Sequence, residues 1–229
     1  MLQRYEPNLV TYNRLDYYLT AEGQRFPSVT TILNATARGK SQKLAAWRAR
    51  IGEEEAINLR EEALDRGRQL HERIANYLCG NPGEKWSEYL KPWGYSIKPI
   101  LMQIKPLEDV HLVEGAVFHP KLCYAGKLDG IVRFNGKWCV VDWKTANTPQ
   151  REDWIYRYKI QVAAYIAATN KTYGSNKAYR KLKLEHGLIV VALPNCEAQV
   201  FMMNWEQLEN FFRQWLKRLR MFQSLPSKF

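Results

Sequence analysis

The stretch 124-YAGKLDGIVRFNGKWCVVDWKT-145 decides how this chain folds. At its centre, Asn135-Gly136 is the strongest short signal for a β-hairpin, ordinarily closed by a two-residue type I′ turn. The flanking runs are rich in β-branched and aromatic residues and read as strands over 124–134 and 137–145. If the turn closes, Phe134 falls opposite Lys137, and the register carried along the strands sets Asp129 opposite Asp142 and Lys127 opposite Lys144. The other face then carries Leu128, Val132 and Phe134 against Trp143, Val141 and Cys139, apolar enough to pack on a helix layer. A slip of one residue would exchange the two faces, so the turn and the apolar face fix the register together.

Two carboxylates facing each other across a strand pair repel and normally destabilise a sheet. A cation between them resolves the conflict. Lys127 or Lys144 could be that cation, which would make the arrangement structural. The alternative is a divalent ion: Mg²⁺ binds carboxylate oxygens and keeps waters that a substrate phosphate can replace. An ion held there can polarise a phosphodiester and acidify its attacking water. Lys144, one pleat beyond Asp142 on the same face, is placed to orient that water or to stabilise charge developing on phosphorus. The backbone carbonyl of Trp143 is a further candidate ligand. Glu114 alternates with Leu112 and Ala116 in the preceding strand and reads either as another ligand or as an edge charge.

Composition points the same way. The 229 residues carry 34 Lys and Arg against 23 Asp and Glu, a formal net charge of +11, which favours a polyanionic partner. Eight Trp and thirteen Tyr interleaved with these cations suit stacking on unpaired bases, although most such rings are expected in the core. No apolar run reaches the ~18–20 residues that span a bilayer, and the opening MLQRYEPNLVTYNRLDYY lacks the apolar stretch of a signal peptide. An intracellular protein without a membrane partner is expected, whether cytoplasmic, nucleoid-associated, organellar or viral. Cys79, Cys123, Cys139 and Cys196 form no CxxC pair and read as reduced and structural, with Cys123 and Cys139 as small buried hydrophobes.

Outward from the hairpin, 15–26 reads as a hairpin turning at Glu22-Gly23, and Pro27 and Ser28 read as a helix start. Apolar residues at helical spacing, among them Leu44, Trp47, Ile51, Leu70, Ile74 and Leu78, predict two helices between Ser41 and Leu78, separated at Gly52 and ended by Gly80-Asn81-Pro82-Gly83. A helix over Trp86 to Ile104, interrupted near Pro92 or Gly94, precedes a strand over 109–119. Beyond the central hairpin come a helix from Trp154 to Thr169, strands over 186–194 and 198–204, and an amphipathic helix over 205–222. This order predicts an α/β fold: one domain over 1–229, its N-terminal hairpin and helices (about 1–105) packed on a core at about 106–229.

Three motifs in order, 126-GKLDG-130, 142-DWK-144 and 161-QVAAY-165, resemble the GxxD, DxK and QxxxY motifs of the RecB-like exonuclease branch of the PD-(D/E)XK nuclease superfamily. Upstream, 67-GRQLH-71 resembles that branch's helix whose His binds metal, and 27-PSVTTIL-33 resembles a common opening. The resemblance runs from about Pro27 to Tyr165. It implies a restriction-endonuclease-like mixed β-sheet flanked by α-helices, dependence on Mg²⁺ or Mn²⁺, and hydrolysis of DNA from its ends, single-stranded ends being the expected preference. His71, Asp129 and Asp142 would bind metal, Lys144 would assist the attacking water, and Gln161 would position substrate or Lys144. Read from residues alone, His71 on an amphipathic helix serves packing as readily as ligation, with Gly67 one turn away leaving room for close packing. Gln161 and Tyr165, one turn apart, either flank the site or pack beneath the sheet. Only Cys196 lies beyond the nuclease motifs, so the four-Cys iron–sulfur cluster of some relatives is not expected. No Walker motif is present, so a helicase or recombination factor would be a separate partner. A structure- or sequence-specific endonuclease on the same core, and a non-catalytic DNA-binding module, are the alternatives.

Overall fold

The computed structural model describes every residue except 7, 21, 38–39, 82–85, 175–182 and 226–229, with only the backbone described for 40–44. Leu44, Pro82 and Gly83 of the expected helix pattern therefore lie outside the described side chains or residues. The sequence folds as β1 (Leu9–Tyr12), β2 (Leu15–Leu19), β3 (Arg25–Pro27), α1 (Val29–Ala35), α2 (Lys40–Ile51), α3 (Glu53–Leu78) and α4 (Lys91–Leu101). The remainder is β4 (Val110–His119), β5 (Tyr124–Phe134), β6 (Lys137–Thr145), α5 (Tyr156–Gly174), β7 (His186–Ala192), β8 (Gln199–Met203) and α6 (Trp205–Gln223).

A five-stranded sheet of order β4-β5-β6-β7-β8 forms the centre. Its pairs are antiparallel except β6–β7, which is parallel because α5 carries the chain from one strand to the other. Helices cover both faces, which is why β6 and β7 are almost continuously apolar. On one face Leu70, Ile74 and Leu78 of α3 and Ile97 and Leu101 of α4 pack on Val132, Cys139, Val141 and Trp143. On the other, Ile32 of α1, Val162 and Ile166 of α5, and Trp215 and Leu219 of α6 pack on Ile131, Val140 and Ile189. This is the expected mixed α/β architecture.

The central hairpin has the expected register. Asn135 (φ 49°) and Gly136 (φ 73°) take the two left-handed positions that a type I′ turn requires. Pairing then runs from Phe134–Lys137 to Gly130–Val141. There the ladder stops, one step short of Asp129 and Asp142. At the same level β4 turns at Glu114, a non-glycine residue with φ 53°, and side chains change faces. Leu128 is buried with Tyr124 and Ile131 against α1 and α5, not with Val132 and Phe134 against α3 as the pleat predicted.

Smaller differences have local causes. Ser28 caps α1, its side chain accepting the Thr31 N–H at 2.9 Å, and Gly52 separates α2 from α3 with φ 92°. The N-terminal sheet has a strand more than the expected hairpin, β1, joined to β2 through Asn13 and Arg14, both at positive φ. Pro92 lies in the first turn of α4 rather than interrupting a helix begun at Trp86, because a first turn needs no N–H from it. Gly94 lies under the Trp86 ring, where any Cβ would collide. Helix α5 runs five residues past Thr169, where Asn170 holds both backbone groups of Leu184. Cys123 is exposed in a turn with φ 51°, not buried in a strand. No helix among the described residues is long and apolar enough to cross a membrane.

Candidate active site

The site lies where β5 and β6 part. Asp129, instead of continuing the backbone ladder, accepts the Trp143 N–H on Oδ2 at 2.8 Å. Its carboxylate thus occupies the opening between the strands. From α3, His71 donates from Nε2 to the Trp143 carbonyl at 2.8 Å and brings Nδ1 to 3.4 Å from Asp129 Oδ1. His71 therefore links the expected ligand Asp129 to the expected carbonyl of Trp143.

The other half of the site faces α5. Lys144 donates from Nζ to Asp142 Oδ1 at 2.7 Å, and Gln161 reaches the same oxygen at 3.4 Å. Gln161 also donates to Tyr165 Oη at 3.0 Å. The Tyr165 ring fills the space above Gly126, where a Cβ would overlap it, so the first residue of the 126–129 motif is small to admit the last of the 161–165 motif. Tyr158, which the sequence reading passed over, places its ring centroid 4.9 Å from Lys144 Nζ. Its position, three residues before Gln161 on a helix, was the available signal.

Burial makes these charges interact strongly. Asp142 is 1% exposed. Desolvation pushes its carboxyl up to about 6, with Lys144 opposing the rise and Asp129 adding to it. Burial acts on Asp129 in the same direction, but His71, Lys144 and the Trp143 N–H outweigh it and hold that carboxyl below the usual range. Lys144 is raised despite burial because both aspartates face it, and His71 is raised by Asp129 against its own desolvation. Burial and the same two acids hold the Tyr165 phenol well above its ordinary value, so Tyr165 remains a neutral phenol that accepts from Gln161.

Donors that could hold a cation converge here. Ligating atoms of His71, Glu114 and Asp129 lie within 4.8 Å of one another; Asp142, expected in this set, is not part of that group, although its buried Oδ2 has no hydrogen-bond partner. A buried carboxylate oxygen without a donor is costly unless something else satisfies it, and an oxygen-rich set with one imidazole suits Mg²⁺ or Mn²⁺. The residues present fit such an ion.

Glu114 does not point with Leu112, as alternation predicted. Leu112 is buried on the α5 face, whereas the φ 53° backbone turns Glu114 into a cavity under α3, where it pairs with Lys127. That cavity, about 660 Å³, is lined by Gly67, Arg68, His71, Glu114, Lys127 and Asp129 among others. Gly67 leaves it open: a Cβ there would meet nothing within 4 Å, so this glycine makes room for the cavity and not for close protein packing. Lys127 is engaged with Glu114 and does not face Lys144. His111 stacks on Trp138 and His119 on Tyr124, away from these groups.

Three vertebrate proteins named mitochondrial genome maintenance exonuclease 1 are similar over 84% of this chain: that of Mus musculus is 32% identical over 204 residues, and those of Homo sapiens and Xenopus tropicalis are 30% identical. The chain spans 56–57% of the length of these relatives. A solved structure of a putative exonuclease from Eubacterium rectale is similar over 71% of this chain and 67% of its own, at 14% identity and a TM-score of 0.43. The family described as the PD-(D/E)XK nuclease superfamily matches residues 36–224. With the match extending over most of the chain, this chain belongs to the PD-(D/E)XK nuclease superfamily.

Proposed function

We propose that this chain is a divalent-cation-dependent deoxyribonuclease that hydrolyses DNA from its ends, preferring single-stranded ends, in DNA repair, recombination or replication. The observation that carries this reading is the buried, unpartnered Oδ2 of Asp142 beside Asp129, with Lys144 on the other oxygen. The name of the vertebrate relatives supports digestion from ends.

In this reading His71, Asp129, Asp142 and the Trp143 carbonyl hold Mg²⁺ or Mn²⁺, with Glu114 as a further ligand from β4. When bound, the ion supplies Lewis acidity to the phosphodiester and acidifies the attacking water. Lys144 keeps its proton beside two aspartates and offers its ammonium to the water and to charge developing on phosphorus. Gln161 fixes the orientation of Asp142, and Tyr165 in turn fixes Gln161. Tyr158 supports the lysine stem. These side chains rest on strands and helices with packed cores behind them, which limits their motion during the reaction.

Linear single-stranded DNA labelled separately at its 5′ and 3′ ends, compared with a covalently closed single-stranded circle, tests the proposal. Progressive shortening of the linear strand with the circle intact is the expected result. Cutting of the circle would make the enzyme an endonuclease, and no cleavage of either in Mg²⁺ or Mn²⁺ would leave a DNA-binding module.

A further inference from the structure

Helix α5 presents Arg157, Gln161 and Tyr165 at four-residue steps, so the three lie along one stripe of the helix. Gln161 and Tyr165 belong to the site described above. Arg157, one turn of about 5.4 Å nearer the N-terminal end, has no part in it yet. It is partly exposed, and its guanidinium donates to Asn34 Oδ1 at 2.6 Å. A second guanidinium, from Arg218 of α6, donates to the backbone carbonyl of Thr36 two residues further on.

Two cations thus meet at one end of α1. Burial and then the proximity of Arg218 lower the proton affinity of Arg157. Both groups are held by neutral oxygens, and among the described residues neither forms an ion pair with a carboxylate. The carbonyl end of α1 favours a cation, but a second guanidinium there adds repulsion that the fold does not need. Their position explains the pair better. Arg157 lies one helical turn from Gln161, which reaches Asp142, and is close enough to Tyr165 and Arg218 to interact electrostatically with both.

We propose that Arg157 and Arg218 form a phosphate subsite that grips a non-scissile phosphate of the same single strand whose scissile phosphate lies at Lys144, a role that rests on the nuclease reading above. Guanidinium forks match phosphate oxygens in pairs, and an arriving phosphate supplies the negative charge this corner lacks. Arg157 and Arg218 are positioning residues: they fix how far the strand advances along α5, and Gln161 on the same stripe marks where it is cut.

The test is binding of fluorescein-labelled oligothymidylate to the full chain by anisotropy in EDTA, over a series of salt concentrations, followed by steady-state cleavage in Mg²⁺. Arg157→Gln should weaken binding about tenfold or more. The pair Arg157→Gln with Arg218→Gln should flatten the logarithmic salt dependence by about 0.7 per arginine. In cleavage the loss should fall on KM with kcat nearly preserved, and Arg157→Lys, which keeps the charge, should recover most of the binding. An unchanged salt slope in the double variant would overturn the subsite, as would equal losses in the Gln and Lys variants that follow a loss of thermal stability. The two readings fail separately. Wild-type protein that binds the strand with the arginine-dependent slope but never cuts it contradicts the nuclease reading alone, whereas cleavage by wild type with an arginine-independent slope contradicts the subsite alone.

Discussion

The two ends of the β5–β6 hairpin obey opposite rules. At the turn end, the residues from Gly130–Val141 to Phe134–Lys137 pair in unbroken register, and Val132, Phe134, Cys139 and Val141 are buried. At the open end the ladder gives way, a carboxylate takes the place of a backbone acceptor, and Asp142 is buried with one oxygen unpartnered. The paired end supplies what the open end lacks, a fixed register and an apolar anchor. That anchor lets the fold tolerate two neighbouring aspartates that would otherwise repel one another and draw water in. The open end carries the left-handed backbone of Glu114 and the unpartnered oxygen of Asp142, features expected where geometry serves chemistry.

Substitutions at the open end should damage chemistry far more than fold. Lys144→Ala removes the ammonium that faces Asp142, and cleavage should fall about 10²–10³-fold in kcat while oligonucleotide affinity changes little. Single-turnover cleavage measured beside anisotropy checks this, and undiminished cleavage would remove Lys144 from the reaction. The pH response should follow from Asp142. Its folded carboxyl sits at about 6, above the ordinary 3.8. Between roughly pH 4 and 6 the unfolded chain has released this proton while the folded chain keeps it, so Asp142 lowers stability as pH rises through that window. A cation must displace the same proton, so Mn²⁺ affinity should level off above about pH 6 and fall up to about tenfold per unit below it. Affinity that is flat from pH 5 to pH 7.5 would separate Asp142 from the ion.

Changes at packing positions should do the reverse. Gly126→Ala drives a Cβ into the Tyr165 ring and should cost about 1–3 kcal/mol in urea denaturation, with Gln161 displaced and activity reduced alongside. At the turn, Gly136→Ala at φ 73° should cost about 1 kcal/mol and leave kcat close to wild type. Gly67→Ala meets open space within a helix and should raise stability by up to about 1 kcal/mol.

What was legible in the sequence follows the same division. Asn135-Gly136 and the apolar residues around it specify the register of β5 and β6 by local turn chemistry, so the ends of both strands could be read directly. Asp129, Asp142 and Lys144 could be placed together from the hairpin register, whereas His71 and Gln161 joined them only through the resemblance, since a residue on a helix carries no local sign of the strand it will face. The faces of Leu128 and Glu114 could not, since strict alternation assumes a regular strand and β4 takes a left-handed backbone at Glu114. Gly67 was misread for a related reason: a glycine pattern on a helix does not distinguish a close neighbour from an empty cavity. Helix α5 outruns its expected end because Asn170 binds the distant Leu184, a tertiary contact without local signature. Arg157 was overlooked because its meaning depends on Arg218, which lies in another helix.

The central claim is that the open end of the hairpin is a cation site built around Asp142. Calorimetric titration of Mn²⁺ at pH 7.5 into wild-type protein and into Asp142→Asn tests it most directly. The account predicts measurable binding to wild type and at least tenfold weaker binding to the variant, with both proteins folded by near-UV circular dichroism. Equal affinity in the two proteins, or no binding to the wild type, would contradict it.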